Sequence, residues 1–155
     1  MGAAPSVARE VRRFVPPIGV ASLLISLVGL AAAGYLTVDH YTASTVLACP
    51  ENSVVNCAKV TSSSYSKIGP VPVALLGALY FAAITALCTP AAWRRRRLDR
   101  LRVAGAAVGV ASSVYLVWAE LFRLDAICLW CTVVHVSTLV LLGAVLWTTT
   151  GRKPS

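Results

Sequence analysis

Charge is what this chain has least of. Only 13% of its residues are Asp, Glu, Lys or Arg, and only six of those are acidic. A soluble domain carries about a quarter charged residues. With 57% hydrophobic residues and a mean hydropathy of +0.75, the scarcity excludes an ordinary water-soluble domain and points to a bilayer as solvent. The chain also lacks an internal repeat and any composition shift that would mark a second unit, so residues 1–155 read as one domain. A net charge of +8 does not indicate nucleic acid, because the bases are not spread over a face: Arg94 to Arg97, Arg100 and Arg102 fall in one short segment.

Four stretches carry no charge at all: about 18–38, 68–91, 103–119 and 126–147. A hydrocarbon core of roughly 30 Å takes about 20 apolar residues of helix to cross. Backbone groups in lipid must also bond within their own segment, which helices do. The expected fold is therefore an all-α membrane protein, a bundle of four transmembrane helices. Alanines 31–33 give the first stretch a possible signal-peptidase site, but the apolar run continues to Val38, longer than a signal core, and an uncleaved span is expected.

Orientation follows from the bases. Arg9, Arg12 and Arg13 precede the first span, the six clustered arginines lie between the second and third, and Arg152 and Lys153 follow the fourth. Eleven of the fourteen bases thus share one side. The positive-inside rule makes that side cytoplasmic, with both termini on it. The arginine cluster reads as an anchor on anionic lipid headgroups. The loop from Asp39 to Lys67 and the turn from Arg123 to Asp125 then face outward from a multi-pass protein of the cytoplasmic (inner) membrane.

That topology, drawn without reference to cysteine, puts four of the five cysteines on the oxidising face. Cys49 and Cys57 lie in the long outer loop, and Cys128 and Cys131 form a Cys-x-x-Cys pair at the outer start of the fourth span. At a helix start the first thiol of such a pair meets free N–H groups and the positive end of the helix dipole, which favour a thiolate and quick exchange. Static structural disulfides remain an alternative. Zinc is not expected, since the spacing is unlike a zinc ribbon. Cys88, inside the second span, reads as a packing residue. Residues 128, 131 and 135 run down one helix face, so His135 lies beneath Cys131 inside the bilayer, where an ionisable group suggests function. The competing expectation is a histidine satisfied by a neighbouring hydroxyl. Tyr115, Trp118 and Phe122 form a further stripe, read as interfacial belt or packing ahead of a wall for a flat ligand, and Glu120 as a boundary residue, solvated or hydrogen-bonded. A dithiol above an apolar pocket implies a lipid-soluble acceptor of two electrons and two protons, which a quinone is.

The chain resembles the vitamin K epoxide reductase family in its bacterial branch. The likeness rests on Cys49-x7-Cys57, on the run from Cys57 through Val60 to Ser62 and Ser63, on Leu76-Gly77, and on Ala126-Ile127-Cys128-Leu129-Trp130-Cys131. The spaced pair precedes the Cys-x-x-Cys, the order of that family and the reverse of the DsbB-type reductases. The resemblance implies four helices around a quinone headgroup and a redox-active outer loop. Cys49 and Cys57 would take electrons from a thioredoxin-fold partner on the outer face, Cys57 would exchange with Cys128, and Cys131 would reduce the quinone. It places Ser63 near the site. It also aligns Val73 and His135 with an Asn and a Tyr that bond the quinone in vertebrate members. The loss of that Asn favours a plain respiratory quinone, menaquinone or ubiquinone, over an epoxide of the vitamin K type. The implied activity is thiol:quinone oxidoreduction in support of disulfide formation in exported proteins. An epoxide reductase and a non-catalytic scaffold are the alternatives.

Overall fold

The computed structural model describes residues 17–42 and 49–150. The basic arm 1–15, Arg152 and Lys153 lie outside the described residues. Helix α1 spans Pro17–Thr42. Its proline stands where a missing N–H costs nothing. The hydroxyls of Ser22, Ser26 and Thr37 donate to carbonyls three or four residues back, at 2.7–2.8 Å, so the apolar helix carries them without exposing a donor.

After a short helix α2 (Cys57–Ser62) and a 3-10 turn (Ser64–Ser66), strands β1 (Lys67–Ile68) and β2 (Val71–Pro72) form a small antiparallel hairpin. Gly69 turns it with φ +61°, in the left-handed region that only glycine enters freely. Helix α3 runs Val73–Leu87, shorter at both ends than the apolar stretch 68–91. Two prolines and the hairpin occupy its front, and Pro90 drives Thr89 out of the helical region at its back. Then come α4 (Pro90–Trp93), a 3-10 turn (Arg96–Leu98), α5 (Asp99–Ala119), a π turn (Glu120–Leu124) and α6 (Leu129–Thr150).

Among the described residues, three segments are long and apolar enough to cross a membrane: Ile18–Thr42, Arg96–Leu124 and Leu129–Thr150. Helix α3 is equally apolar, but its 15 residues reach only about 22 Å. The chain is thus a largely helical membrane protein.

Helix α1 packs on α3 and α6, and α5 packs on α6. Close approach is made at glycines. A Cβ on Gly29 would stand 2.2 Å from the ring of Phe81, and one on Gly109 the same distance from Tyr80 Oη. That Tyr80 hydroxyl donates to Gly105 O at 3.1 Å and ties α3 to α5. Ile84, Cys88, Leu141 and Val145 fill one buried cluster, so Cys88 packs as an apolar residue.

The arginine cluster is not uniform. Arg94 to Arg97 and Arg100 are exposed, but Arg102 is buried at 1%. Its Nε donates to Leu87 O at 2.7 Å and its Nη2 to Ala92 O at 2.5 Å, Nη1 pairs with Asp99, and the guanidinium lies 4.1 Å over Trp93. The sequence reading counted Arg102 as a lipid-facing anchor. Instead it caps the Leu87 carbonyl at the end of α3 and adds a second bond to Ala92 O, which also accepts from Arg95 N–H at 3.0 Å.

Candidate active site

The outer loop reaches the start of α6 through a backbone splice. Asn52 Oδ1 accepts from the N–H groups of Val54 and Val55 at 2.9 and 2.7 Å, a turn that asparagine makes locally. The chain then runs parallel to the segment before α6, with Val55 bridged to Ile127. Ile127 N–H donates to Val54 O at 2.9 Å and Asn56 N–H to Ile127 O at 3.1 Å. One residue on, Asn56 caps α2, its Oδ1 accepting from Lys59 N–H at 2.8 Å.

Cys57 follows the splice on one side and Cys128 on the other. Both are wholly buried, in one cluster with Leu36, Val60 and Ala126, and Cys49 and Cys131 pack against it. Cys49 and Cys57 are disulfide-bonded, while Cys128 and Cys131 are free thiols. The fold therefore brings together all four cysteines that the sequence singled out.

Helix α6 begins one residue later than the Cys-x-x-Cys motif, so Cys128 is its N-cap rather than part of its first turn. Cys128 O accepts from Thr132 N–H at 2.9 Å, and its sulfur accepts from Cys131 N–H at 3.3 Å, the bond a serine or aspartate cap would take. The Cys131 thiol and the N–H groups of Cys131 and Trp130 hold the Cys128 thiol below its usual range, against the opposing effects of burial and the Glu120 carboxylate. Within the motif, Trp130 packs on Tyr35 of α1 with ring centroids 4.7 Å apart.

The π turn opens with a residue whose role the sequence reading missed. Glu120 stands seven residues after Ser113, on the face of α5 that also buries Ala106 and Gly109, and Asp125 closes the turn in the left-handed region at φ +47°. Glu120 is 5% exposed; its Oε1 lies 3.3 Å from His135 Nε2, and its Oε2 accepts from Cys128 N–H at 3.3 Å. His135 is thus paired with a carboxylate, not with a neighbouring hydroxyl. Its Nδ1 is buried without a hydrogen-bond partner. The signals were the lone acidic residue at the end of an apolar stretch and the histidine facing it.

Beneath the cysteines lies a cavity of about 710 Å³, within the size of a small-molecule site. Cys131, His135, Glu120, Ser63 and Val73 all line it. Ser63 spends its proton on Val60 O at 2.7 Å and keeps lone pairs free. Val73, at the first position of α3, offers only apolar contact. The Tyr115, Trp118 and Phe122 side chains are exposed on the bundle's flank, and of the three only Tyr115 also lines the cavity. Arg123 Nε donates to Tyr65 Oη at 2.8 Å, joining the loop to the π turn above the cavity. An apolar chamber with a thiol and an unsatisfied imidazole nitrogen in its wall fits a planar quinone headgroup.

The model of the vitamin K epoxide reductase family matches residues 20–146, a range that holds every residue of this site. It is a family of oxidoreductases that use quinones or vitamin K as electron acceptors and generally work with a thioredoxin-like partner. A comparison with individual curated proteins finds no match.

Proposed function

From the premise that the chain belongs to the vitamin K epoxide reductase family, we propose that it is a bacterial-type thiol:quinone oxidoreductase of the cytoplasmic membrane. In this reading it draws electrons from a thioredoxin-fold partner outside the membrane and supports disulfide formation in exported proteins. The supporting observation is the splice of Val54–Asn56 onto Ile127, which puts Cys57 and Cys128 in one buried cluster with Cys131 in the cavity wall.

The partner's thiolate attacks Cys49, breaking the Cys49–Cys57 bond and leaving Cys57 as the thiolate. Cys57 then attacks Cys128 of an oxidised Cys128–Cys131 pair, and Cys131 leaves as thiolate. The partner's second thiol resolves its mixed disulfide with Cys49, so the partner leaves oxidised and Cys49 is freed as thiolate. Cys49 then closes again on Cys57 and releases Cys128, and the electron pair now rests on Cys128 and Cys131. That is the state the structure holds, with the loop pair bonded and the helix pair free. Oxidising this dithiol forms one S–S bond and gives up two electrons and two protons, which a quinone accepts. His135 and Ser63 would meet the quinone with polar groups and Val73 with an apolar one. A menaquinone or ubiquinone suits this wall better than an epoxide, since Val73 offers no hydrogen bond.

In this reading α3 is the second of four spans, lengthened by the hairpin at one end and α4 at the other. Both termini and the arginine cluster are cytoplasmic. The test combines the purified chain, a reduced thioredoxin-fold protein and a quinone, with quinone absorbance followed over time. Cys49→Ser should stop transfer from the partner but not from a small dithiol, whereas Cys131→Ser should stop both. Wild-type turnover in Cys131→Ser would end the proposal, and bonds that resist the partner altogether would leave a static scaffold.

A further inference from the structure

Glu120 has no part in the steps just described, yet it is a carboxylate enclosed within a helix bundle. Such a group is costly unless paired. Its two oxygens have separate partners, His135 Nε2 and Cys128 N–H, each at 3.3 Å. The first contact decides how the imidazole is used. When one ring nitrogen gives its proton to a carboxylate, acid–base work falls to the other. Here the other is Nδ1, buried and without a partner, on a side chain that lines the cavity beside Cys131. Buried polar atoms are nearly always bonded, and an exception calls for an explanation such as a ligand.

We propose that Glu120 is the positioning residue of His135, holding Nε2–H so that Nδ1 passes a proton from the Cys131 thiol to the quinone oxygen. The proposal rests on the thiol:quinone reading and adds to it the residue that sets the tautomer. The balance is simple. The Cys128–Cys131 bond forms as both thiols lose their protons, and the electron pair goes to the quinone. Nδ1 takes the proton of the Cys131 thiol and gives it to the quinone oxygen, so the pair ends unchanged. The second proton, from Cys128, leaves through water at the outer mouth and is matched by one taken up at the other quinone oxygen. The bond to Cys128 N–H gives the carboxylate a second task, since it fixes the π turn to the cap of α6.

The experiment uses the full chain in lipid nanodiscs with ¹⁵N-labelled histidine. Only His40 and His135 contribute signals, and His40→Gln assigns them. In the wild type, the neutral ring of His135 should be the Nε2–H tautomer. In Glu120→Gln the amide can still accept from Cys128 N–H, but its NH2 donates to Nε2, so the ring should switch to Nδ1–H. Dithiol-driven reduction of a soluble quinone should then fall about 10²-fold or more in kcat, with little change in KM. Glu120→Asp should recover most of it. An Nδ1–H tautomer in the wild type overturns the proposal, and so does wild-type turnover in Glu120→Gln. If that variant does not fold, the wild-type tautomer decides alone. A wild type with the Nε2–H tautomer that reduces no quinone refutes the thiol:quinone reading, and the proton route falls with it.

Discussion

Replacing His135 by phenylalanine separates chemistry from architecture at the centre of the bundle. The ring keeps its plane and bulk but loses both nitrogens. In the proposed reaction a negative charge grows on the quinone oxygen beside Cys131, and one preorganised donor at such a site is worth about 10²–10³ in rate. A second effect follows from the 3.3 Å contact with Glu120. With the imidazole gone, Glu120 Oε1 is left enclosed without its partner. Leaving a buried acceptor without its partner costs about 1–3 kcal/mol, more for a charged group. His135→Phe should therefore lose both turnover and thermal stability. Adding Glu120→Leu removes the stranded carboxyl, so stability should return while turnover does not. His135→Tyr restores a donor, and part of the rate with it. The assay is quinone absorbance per folded molecule with a small dithiol as donor, beside thermal unfolding of the same samples. Exchange between Cys57 and Cys128 should be nearly intact throughout. A His135→Phe protein that turns over at the wild-type rate across the accessible pH range would refute the reasoning.

Ile127→Pro deletes the N–H that donates to Val54 O. It should slow Cys57–Cys128 exchange by roughly 3- to 10-fold, in line with a net hydrogen bond of about 0.5–1.5 kcal/mol, while dithiol-driven quinone reduction is kept. Cys131→Ala removes the main influence that holds the Cys128 thiol low, whereas Cys131→Ser keeps a donor. The pH at which Cys128 attacks Cys57 and frees Cys49 for alkylation should lie higher in the alanine variant, and equal pH profiles would exclude that account of Cys128. Single cysteines placed near Lys67 and Asp125, in a background without native thiols, should react with an impermeant reagent from outside. One near Arg97 should not, and labelling there would reverse the proposed orientation.

The apolar segments and the cysteines could be read from the sequence because their physics is local. An uncharged run of 20 residues has few other places to go, and a Cys-x-x-Cys at its edge is visible as a string. What was not legible depends on geometry that residue spacing does not carry. Glu120 reads as a boundary residue, and only the packing of α5 on α6, which buries the face of Ser113 and Glu120, turns its carboxylate towards His135. Arg102 looks like its neighbours in the arginine run. Only the ends of α3 and α4, which offer the carbonyls of Leu87 and Ala92, distinguish it. The length of α3 was overestimated because apolarity continues past the point where prolines end the helix. Cys128 was placed inside a helix that it caps. His135 lines the cavity together with Cys131, but its partner lies 15 residues earlier, at the end of another helix, a pairing no periodicity within one segment can reveal.

The splice between loop and helix also bears on which changes in chain length the protein tolerates. Val55 is two residues from Cys57, and Ile127 is one from Cys128. In extended chain an odd slip sends a side chain to the opposite face. One residue gained or lost between Val55 and Cys57 would turn the sulfur away from its partner, and so would one between Ile127 and Cys128. Between Cys49 and Asn52 the chain makes no such pairing, and a surface loop absorbs extra residues at small entropic cost. Insertions in related chains should therefore collect ahead of Asn52 and spare the two short intervals that set the sulfurs, and a grafted loop should keep those intervals whatever else it changes.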